Sequence, residues 1–195
     1  ALARHHAAQG AALLLLARRA PLLRELERDC LRLGAAAVLR VQGDVSQATV
    51  LKRAAKLAQR HWGGLDIVYA NAGYSQSGRL ESLSLAQWRR QMAVNVEGVL
   101  YTVQASLPLL SASQGRLGLI GSVVGYGSLA GSGAYAASKA SLRAMAQVLD
   151  LELQGSGISV TYAAPGFFAS EIRLKDADGR PDPQAPEYIP AWMLG

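Results

Sequence analysis

The chain has 195 residues, 20 Lys plus Arg against 14 Asp plus Glu, a formal net charge of +6, and apolar side chains at 50% of its positions. That apolar share excludes a disordered chain, and the longest purely apolar run, residues 11–17, is far below the roughly 20 residues a membrane-spanning helix needs. A single cysteine, Cys30, excludes an intrachain disulfide and a thiolate metal cluster and makes a reduced, cytoplasmic setting the expectation.

Helical and strand periods alternate along the chain, whose length suits one domain spanning 1–195. Residues 1–9 read as the end of a helix closed by Gly10. The short apolar run 12–16, bounded by Gly10 and Arg18-Arg19, reads as a buried strand. Pro21 suits the first turn of the next helix, whose apolar face is Leu22, Leu23, Leu26, Cys30 and Leu33, stopped by Gly34. A second strand follows at 36–41, then a helix with Ser46 as its expected cap and Val50, Leu51, Ala54, Leu57, Ala58 and Trp62 on its apolar face. A third strand is expected at 65–69. Ser84 caps a long helical region running to Leu107, where Pro108 should interrupt it. The remaining elements are a strand at 117–120, an Ala-rich helix at 134–153 and a β-branched strand at 158–162.

Apolar strands that alternate with helices imply a parallel sheet covered on both faces. Ligands bind such sheets at the carboxyl ends of the strands. The residues there are Arg18-Arg19, Asp44, Asn71-Ala72-Gly73, Ser122 and Pro165-Gly166. Tyr135 and Lys139, four apart near a helix start, share one face. A phenol titrates near about 10 when unperturbed, and an adjacent ammonium favours its ionised form, so the pair suits proton transfer to a substrate oxygen. Ser122, 13 positions before Tyr135, offers a hydroxyl to the same oxygen.

Asn71-Ala72-Gly73, Asn95, Gly121-Ser122, Tyr135-Ala136-Ala137-Ser138-Lys139 and Pro165-Gly166 occur in one order, and the set resembles the short-chain dehydrogenase/reductase family. The resemblance covers essentially the whole chain and implies a Rossmann-type doubly wound α/β fold. It implies that Tyr135 is the catalytic acid/base, that Lys139 lowers its pKa and holds the nicotinamide ribose, and that Ser122 orients the substrate oxygen. Asn95 would hold a helix kink and a proton-relaying water. Asn71, Ala72 and Gly73 would line the adenosine side and Asp44 and Val45 the adenine, while Pro165, Gly166 and Ser170 would meet the carboxamide. Two positions depart from the family pattern: Ala70 replaces a frequent Asn, and Gly121 a frequent Ser. The implied activity is hydride transfer between a nicotinamide and a carbonyl or secondary alcohol, by a homodimer or homotetramer.

The family's acidic position for a ribose 2′-hydroxyl falls on Ala17, followed at once by Arg18 and Arg19. Guanidinium groups match a phosphate with paired donors, so NADP(H) is expected over NAD(H). Tyr74, Val124, Tyr126, Leu129, Phe167 and Phe168 suggest an apolar substrate side, with 167–195 as the substrate loop. The family's opening strand and glycine-rich turn have no counterpart here. The chain therefore reads as part of a longer protein, lacking a central strand between those at 12–16 and 65–69.

Three other readings compete. A family member could bind nucleotide without turnover; the intact Asn, Ser, Tyr and Lys set argues against that. A sugar-nucleotide epimerase or dehydratase also uses Tyr-x-x-x-Lys, but the Asn-Ala-Gly turn and the Ser-to-Tyr spacing favour the classical short-chain group. Residues 1–60 hold 11 basic and 4 acidic side chains, which would suit nucleic acid, yet they are dispersed over two helices with no recognised binding pattern. None of the three His residues has a metal-site partner spacing, so no metal is expected.

Overall fold

The computed structural model describes residues 1–166. In chain order its elements are α1 (Leu2–Ala7), β1 (Ala12–Ala17), α2 (Ala20–Arg32), β2 (Ala37–Gln42), α3 (Ala48–Trp62), β3 (Ile67–Ala70), α4 (Leu85–Met92), α5 (Gly98–Ser113), β4 (Arg116–Ile120), α6 (Gly133–Glu152) and β5 (Ser159–Ala163). All strand pairs are parallel, as βαβ crossovers require. They form two sheets, β1-β2 and β3-β4-β5. Among the described residues β1 and β3 are not hydrogen-bonded to each other.

Helices cover both faces. Leu14 and Leu16 of β1 turn toward a cluster of Val41, Val50, Leu51 and Ala54, which Tyr101 and Ala105 of α5 close. Leu15, one residue out of phase, is buried on the opposite side, where α1 and α2 pack on each other and on β1. The larger core joins Leu117 and Leu119 of β4 to Val99, Val103 and Leu110 of α5 and to Leu142 and Ala146 of α6. Arg4 on α1 is paired with Asp29 on α2 at 2.6 Å. His6 reaches across to the Tyr69 hydroxyl at 3.0 Å, tying α1 to β3.

Two local expectations are corrected. Ser46 does not cap α3: that place falls to Gln47, which makes no side-chain cap bond. Ser46 instead closes a turn on Asp44, donating its backbone N–H and its hydroxyl to Asp44 Oδ1 at 2.9 and 2.8 Å. Pro108 does not end the helix either, since α5 runs through it to Ser113. Its ring deprives the Gln104 carbonyl of its helical donor, but Gln104 and Pro108 both face solvent, where water can serve that carbonyl. The real interruption is a π-turn at Ala93–Glu97 between α4 and α5, with Asn95 in it. Ser84 caps α4 as expected, in a reciprocal box with Gln87.

Candidate active site

The site lies at the carboxyl ends of the strands. β4 ends at Ile120, and Ser122 follows in an extended conformation, capping a short 3-10 turn at Val123–Gly125. Its Oγ accepts from the Val124 N–H at 3.2 Å, so its own proton points elsewhere and can be donated. The turn packs on the first turns of α6, where Val124, Tyr135 and Ala136 form a small buried cluster.

Lys139, one turn further along α6, is 4% exposed. Its Nζ donates to the Ile120 carbonyl at 2.7 Å and stands 5.7 Å from the centre of the Tyr135 ring. Burial disfavours the ammonium and brings its pKa down to about 8. The chain segment after β3 comes equally close. A Cβ on Gly73 would stand 3.2 Å from Asn95 Oδ1 and 3.8 Å from Lys139 Nζ, so a bare glycine lets the backbone run past both.

Asn95 is wholly buried and fully engaged. Its Oδ1 accepts from the Tyr74 N–H at 3.1 Å, and its Nδ2 donates to the Tyr74 carbonyl and to Ser138 Oγ, both at 3.0 Å. Ser138 in turn donates to the Tyr135 carbonyl at 2.7 Å. The π-turn places this amide midway between the β3 loop and α6, and the side chain joins them. Such insertions of one extra residue into a helix are frequent at functional sites.

At the other edge, Ala17 and Gln42 are register partners, so Arg18 and Arg19 adjoin Asp44. Both arginines are exposed. Arg18 Nη1 is 3.9 Å from Asp44 Oδ2, and Arg90 of α4 donates to the same oxygen at 2.6 Å. Burial works to raise the Asp44 pKa, but the Ser46 N–H, Arg90 and the Ser46 hydroxyl outweigh it and hold the carboxyl below its ordinary value. Val45 packs toward α5, where a Cβ on Gly98 would meet it at 2.8 Å.

The structure thus gathers Asn95, Ser122, Tyr135, Lys139 and Gly73, with Asn71 and Ala72 in the same loop, and sets Arg18, Arg19, Asp44 and Val45 at a neighbouring edge. The Pro165 carbonyl accepts from the Val123 N–H at 3.1 Å, which pins the end of β5 beside Ser122, and Gly166 follows it. Ser170, Phe167 and Phe168 lie outside the described residues. Of the apolar residues expected on the substrate side, Tyr74 and Val124 are buried. Val124 also lines, with Tyr126 and Leu129, an open groove of about 840 Å³ whose walls include neither Ser122 nor Tyr135. Among the described residues no cluster of His, Cys, Asp or Glu could hold a metal, and no helix is long and apolar enough to cross a membrane.

Sequence reasoning missed three supporting side chains. Gln91 is wholly buried and bonds the Tyr74 carbonyl and the Gln76 N–H at 2.8 and 2.7 Å. Ser138 carries the link from Asn95 to Tyr135, and Arg90 holds Asp44. Gln91 was findable: it lies four before Asn95, a spacing that puts both amides on one helix face.

Comparison with known proteins agrees with this geometry. The family model for short chain dehydrogenase matches residues 1–180. An uncharacterised oxidoreductase of Staphylococcus aureus (strain MW2) is 37% identical over 133 residues, which are 68% of this chain and 58% of that protein. One from Staphylococcus epidermidis (strain ATCC 35984) is 33% identical over 168 residues, 86% of this chain and 71% of the relative. The chain therefore spans a little over half the length of the first of these relatives. Among solved structures, an alcohol dehydrogenase of the archaeon Thermococcus sibiricus complexed with 5-hydroxy-NADP superposes with a TM-score of 0.83 at 27% identity, covering 93% of this chain and 74% of that one. An NAD+-bound xylitol dehydrogenase, at 22% identity, shares the fold with a TM-score of 0.82, over 86% of this chain and 65% of its own. With a parallel α/β sheet of Rossmann type, and with a family match over most of its length, the chain belongs to the short-chain dehydrogenase family.

Proposed function

We propose that this chain forms the catalytic core of an NADP(H)-dependent oxidoreductase that interconverts a carbonyl and a secondary alcohol. The observation that carries the reading is the buried Lys139 ammonium, anchored on the Ile120 carbonyl and set beside Tyr135, two residues from Ser122.

The residues present fit a nicotinamide dinucleotide. Gly73 leaves backbone room beside Asn95 and Lys139, where a side chain would crowd both. The β1 end offers two guanidinium groups and, at Ala17, no carboxylate, which suits a 2′-phosphate rather than a free 2′-hydroxyl. Arg18 and Arg19 would hold that phosphate, Asp44 and Val45 the adenine, Asn71, Ala72 and Gly73 the adenosine side, Lys139 the nicotinamide ribose, and Pro165, Gly166 and Ser170 the carboxamide. The cofactor, when bound, supplies or accepts the hydride.

The protein's own work is on the proton. Ser122, whose Oγ already accepts from Val124 N–H, donates a hydrogen bond to the substrate oxygen and orients it. Tyr135 gives its phenolic proton to that oxygen in reduction and takes one in oxidation. The Lys139 charge stabilises the phenolate left behind. Asn95 holds Tyr135 in place through Ser138. An apolar ketone or alcohol suits the flanking Tyr74 and Val124.

Consumption of NADPH and of NADH over a panel of apolar ketones tests the reading, with Tyr135→Phe as control. NADPH turnover that Tyr135→Phe reduces by about a thousandfold or more supports it. Turnover untouched by that substitution defeats the mechanism, and a clear NADH preference defeats the cofactor assignment.

A further inference from the structure

We propose that Arg90 is a positioning residue that sets cofactor preference by occupying Asp44, the carboxylate next to the proposed 2′-phosphate site. The inference rests on the NADP(H) reading above and identifies what lets that reading work.

Asp44 presents a difficulty at this edge. It follows β2 as Arg18 and Arg19 follow β1, and the Gly43 N–H bonds the Ala17 carbonyl at 3.1 Å, so the carboxylate and the arginines share one corner. A phosphate dianion drawn to Arg18 would meet a negative charge a few ångströms away. Two charges at that range in a partly desolvated corner repel substantially.

The structure answers with a cation from 46 positions along the chain. Arg90 on α4 donates from Nη2 to Asp44 Oδ2 at 2.6 Å and from Nη1 to Ser46 Oγ at 3.2 Å. Oδ1 is taken by the Ser46 N–H and hydroxyl at 2.9 and 2.8 Å. Among the described residues, every hydrogen bond to the carboxylate comes from Arg90 or Ser46. Arg18 stands at 3.9 Å from Oδ2, beyond hydrogen-bond range, and its side chain is 38% exposed against 16% for Asp44. Arg90 neutralises Asp44 and holds it toward α4, which lowers the opposing charge beside Arg18 and Arg19. Without Arg90, Arg18 would be the nearest cation left to Asp44 among the described residues. The carboxylate would then compete with phosphate for the same guanidinium.

The test separates the phosphate from the rest of the cofactor. The purified protein is titrated with 2′,5′-ADP and with 5′-AMP by calorimetry, and the ratio of the two Kd values is compared across variants. Both ligands carry the adenosine, so a general loosening of the pocket moves both and leaves the ratio alone. Arg90→Gln is expected to weaken 2′,5′-ADP by about tenfold more than 5′-AMP. Adding Asp44→Asn to that variant should restore the wild-type ratio within about threefold, because no carboxylate remains to be neutralised. Asp44→Asn alone, which does not depend on the fold tolerating loss of Arg90, should keep or raise the preference for 2′,5′-ADP.

A ratio unchanged in Arg90→Gln, or left low after Asp44→Asn is added, overturns the inference while the NADP(H) reading stands. A fall in preference in Asp44→Asn alone overturns it as well. A wild-type protein that binds 5′-AMP as tightly as 2′,5′-ADP overturns the NADP(H) reading and the inference with it.

Discussion

The Tyr162 ring occupies the space that a side chain at position 121 would need: a Cβ on Gly121 would lie 2.2 Å from Tyr162 Cζ and Oη. Tyr162 pairs in register with Leu119, two positions before Gly121, and its hydroxyl also comes within 3.5 Å of the Lys139 carbonyl. Tyr162 thus sits under both Ser122 and Lys139. Gly121→Ser, which restores the residue frequent in the family, is therefore expected to destabilise this protein by about 1–3 kcal/mol through overpacking. Pairing it with Tyr162→Ala should recover part of that loss, although Tyr162→Ala alone is destabilising. Thermal unfolding of the four proteins measures the coupling. Strict additivity of the two substitutions would show that the positions do not constrain each other.

That pair also marks the limit of what the sequence discloses. Gly121 stands out in the sequence as a departure from the family pattern, but nothing local says that a tyrosine 41 positions later fills its place. The strands were legible because each is a short apolar run between turn residues. β1 and β2 shift by a residue or so at their ends, and β3 moves from 65–69 to Ile67–Ala70. Arg18, Asp44, Asn71 and Ser122 stand out as candidates in the sequence because they follow the ends of parallel strands, a rule of topology rather than of side chains, whereas Tyr135 and Lys139 stand out by their helical spacing. The π-turn was not legible. It is fixed by Asn95 reaching Tyr74 and Ser138 at once, a tertiary demand that helical periodicity does not encode. Ser46 and Pro108 were misread for other reasons: Asp44, two residues away, takes the Ser46 donors, and solvent donates to the carbonyl that Pro108 leaves unpaired.

Asn95 and Ser138 offer a graded test of the link to Tyr135. Asn95→Ala removes three buried hydrogen bonds and leaves the Tyr74 N–H without its acceptor, at an expected cost of about 2–4 kcal/mol. Ser138→Ala removes only the bridge, and about 1 kcal/mol is expected. If the two act as one unit, the double variant costs less than the sum of the singles, as read by urea denaturation. Equal costs for Asn95→Ala and Ser138→Ala would show that the Tyr74 contacts contribute nothing.

Lys139 gives the stability a pH dependence of known sign. Its folded pKa of about 8 lies below the ordinary 10.5, so between those values the unfolded chain binds a proton that the folded one releases. The contribution is fully present above the unfolded value and is lost as pH falls through about 8. Wild-type stability should therefore rise, relative to Lys139→Met, from pH 8 upward, by at most about 1.4 kcal/mol per pH unit. Denaturant titrations of both proteins at about pH 7, 8 and 9 measure the difference. Parallel pH profiles would mean that Lys139 titrates normally.

Gln91 supports the loop that carries Asn71, Ala72 and Gly73 past the site. Its Nε2 donates to the Tyr74 carbonyl at 2.8 Å and its Oε1 accepts from the Gln76 N–H at 2.7 Å, with no exposure to solvent. The loop is fastened again at Gly78, whose N–H bonds the Gly131 carbonyl at 2.9 Å. Gln91→Leu keeps the volume but strands the Gln76 N–H, and about 2–3 kcal/mol of destabilisation is expected. Gln91→Glu discriminates a hydrogen-bonding role from a packing role. Ionised, its carboxylate can still accept from Gln76 but cannot donate to Tyr74; protonated, it can do both. Burial raises the carboxyl's folded pKa above its unfolded value. The Glu variant's stability should therefore be nearest to wild type below the unfolded pKa and be lost as pH rises through the folded one. Burial alone also penalises the ionised form, so the discriminating comparison is made at low pH: a hydrogen-bonding role leaves Gln91→Glu more stable than Gln91→Leu there, whereas a packing role leaves the two alike. Hydrogen exchange at the Gln76 amide, slow in the wild type and faster in Gln91→Leu, locates the effect in the loop.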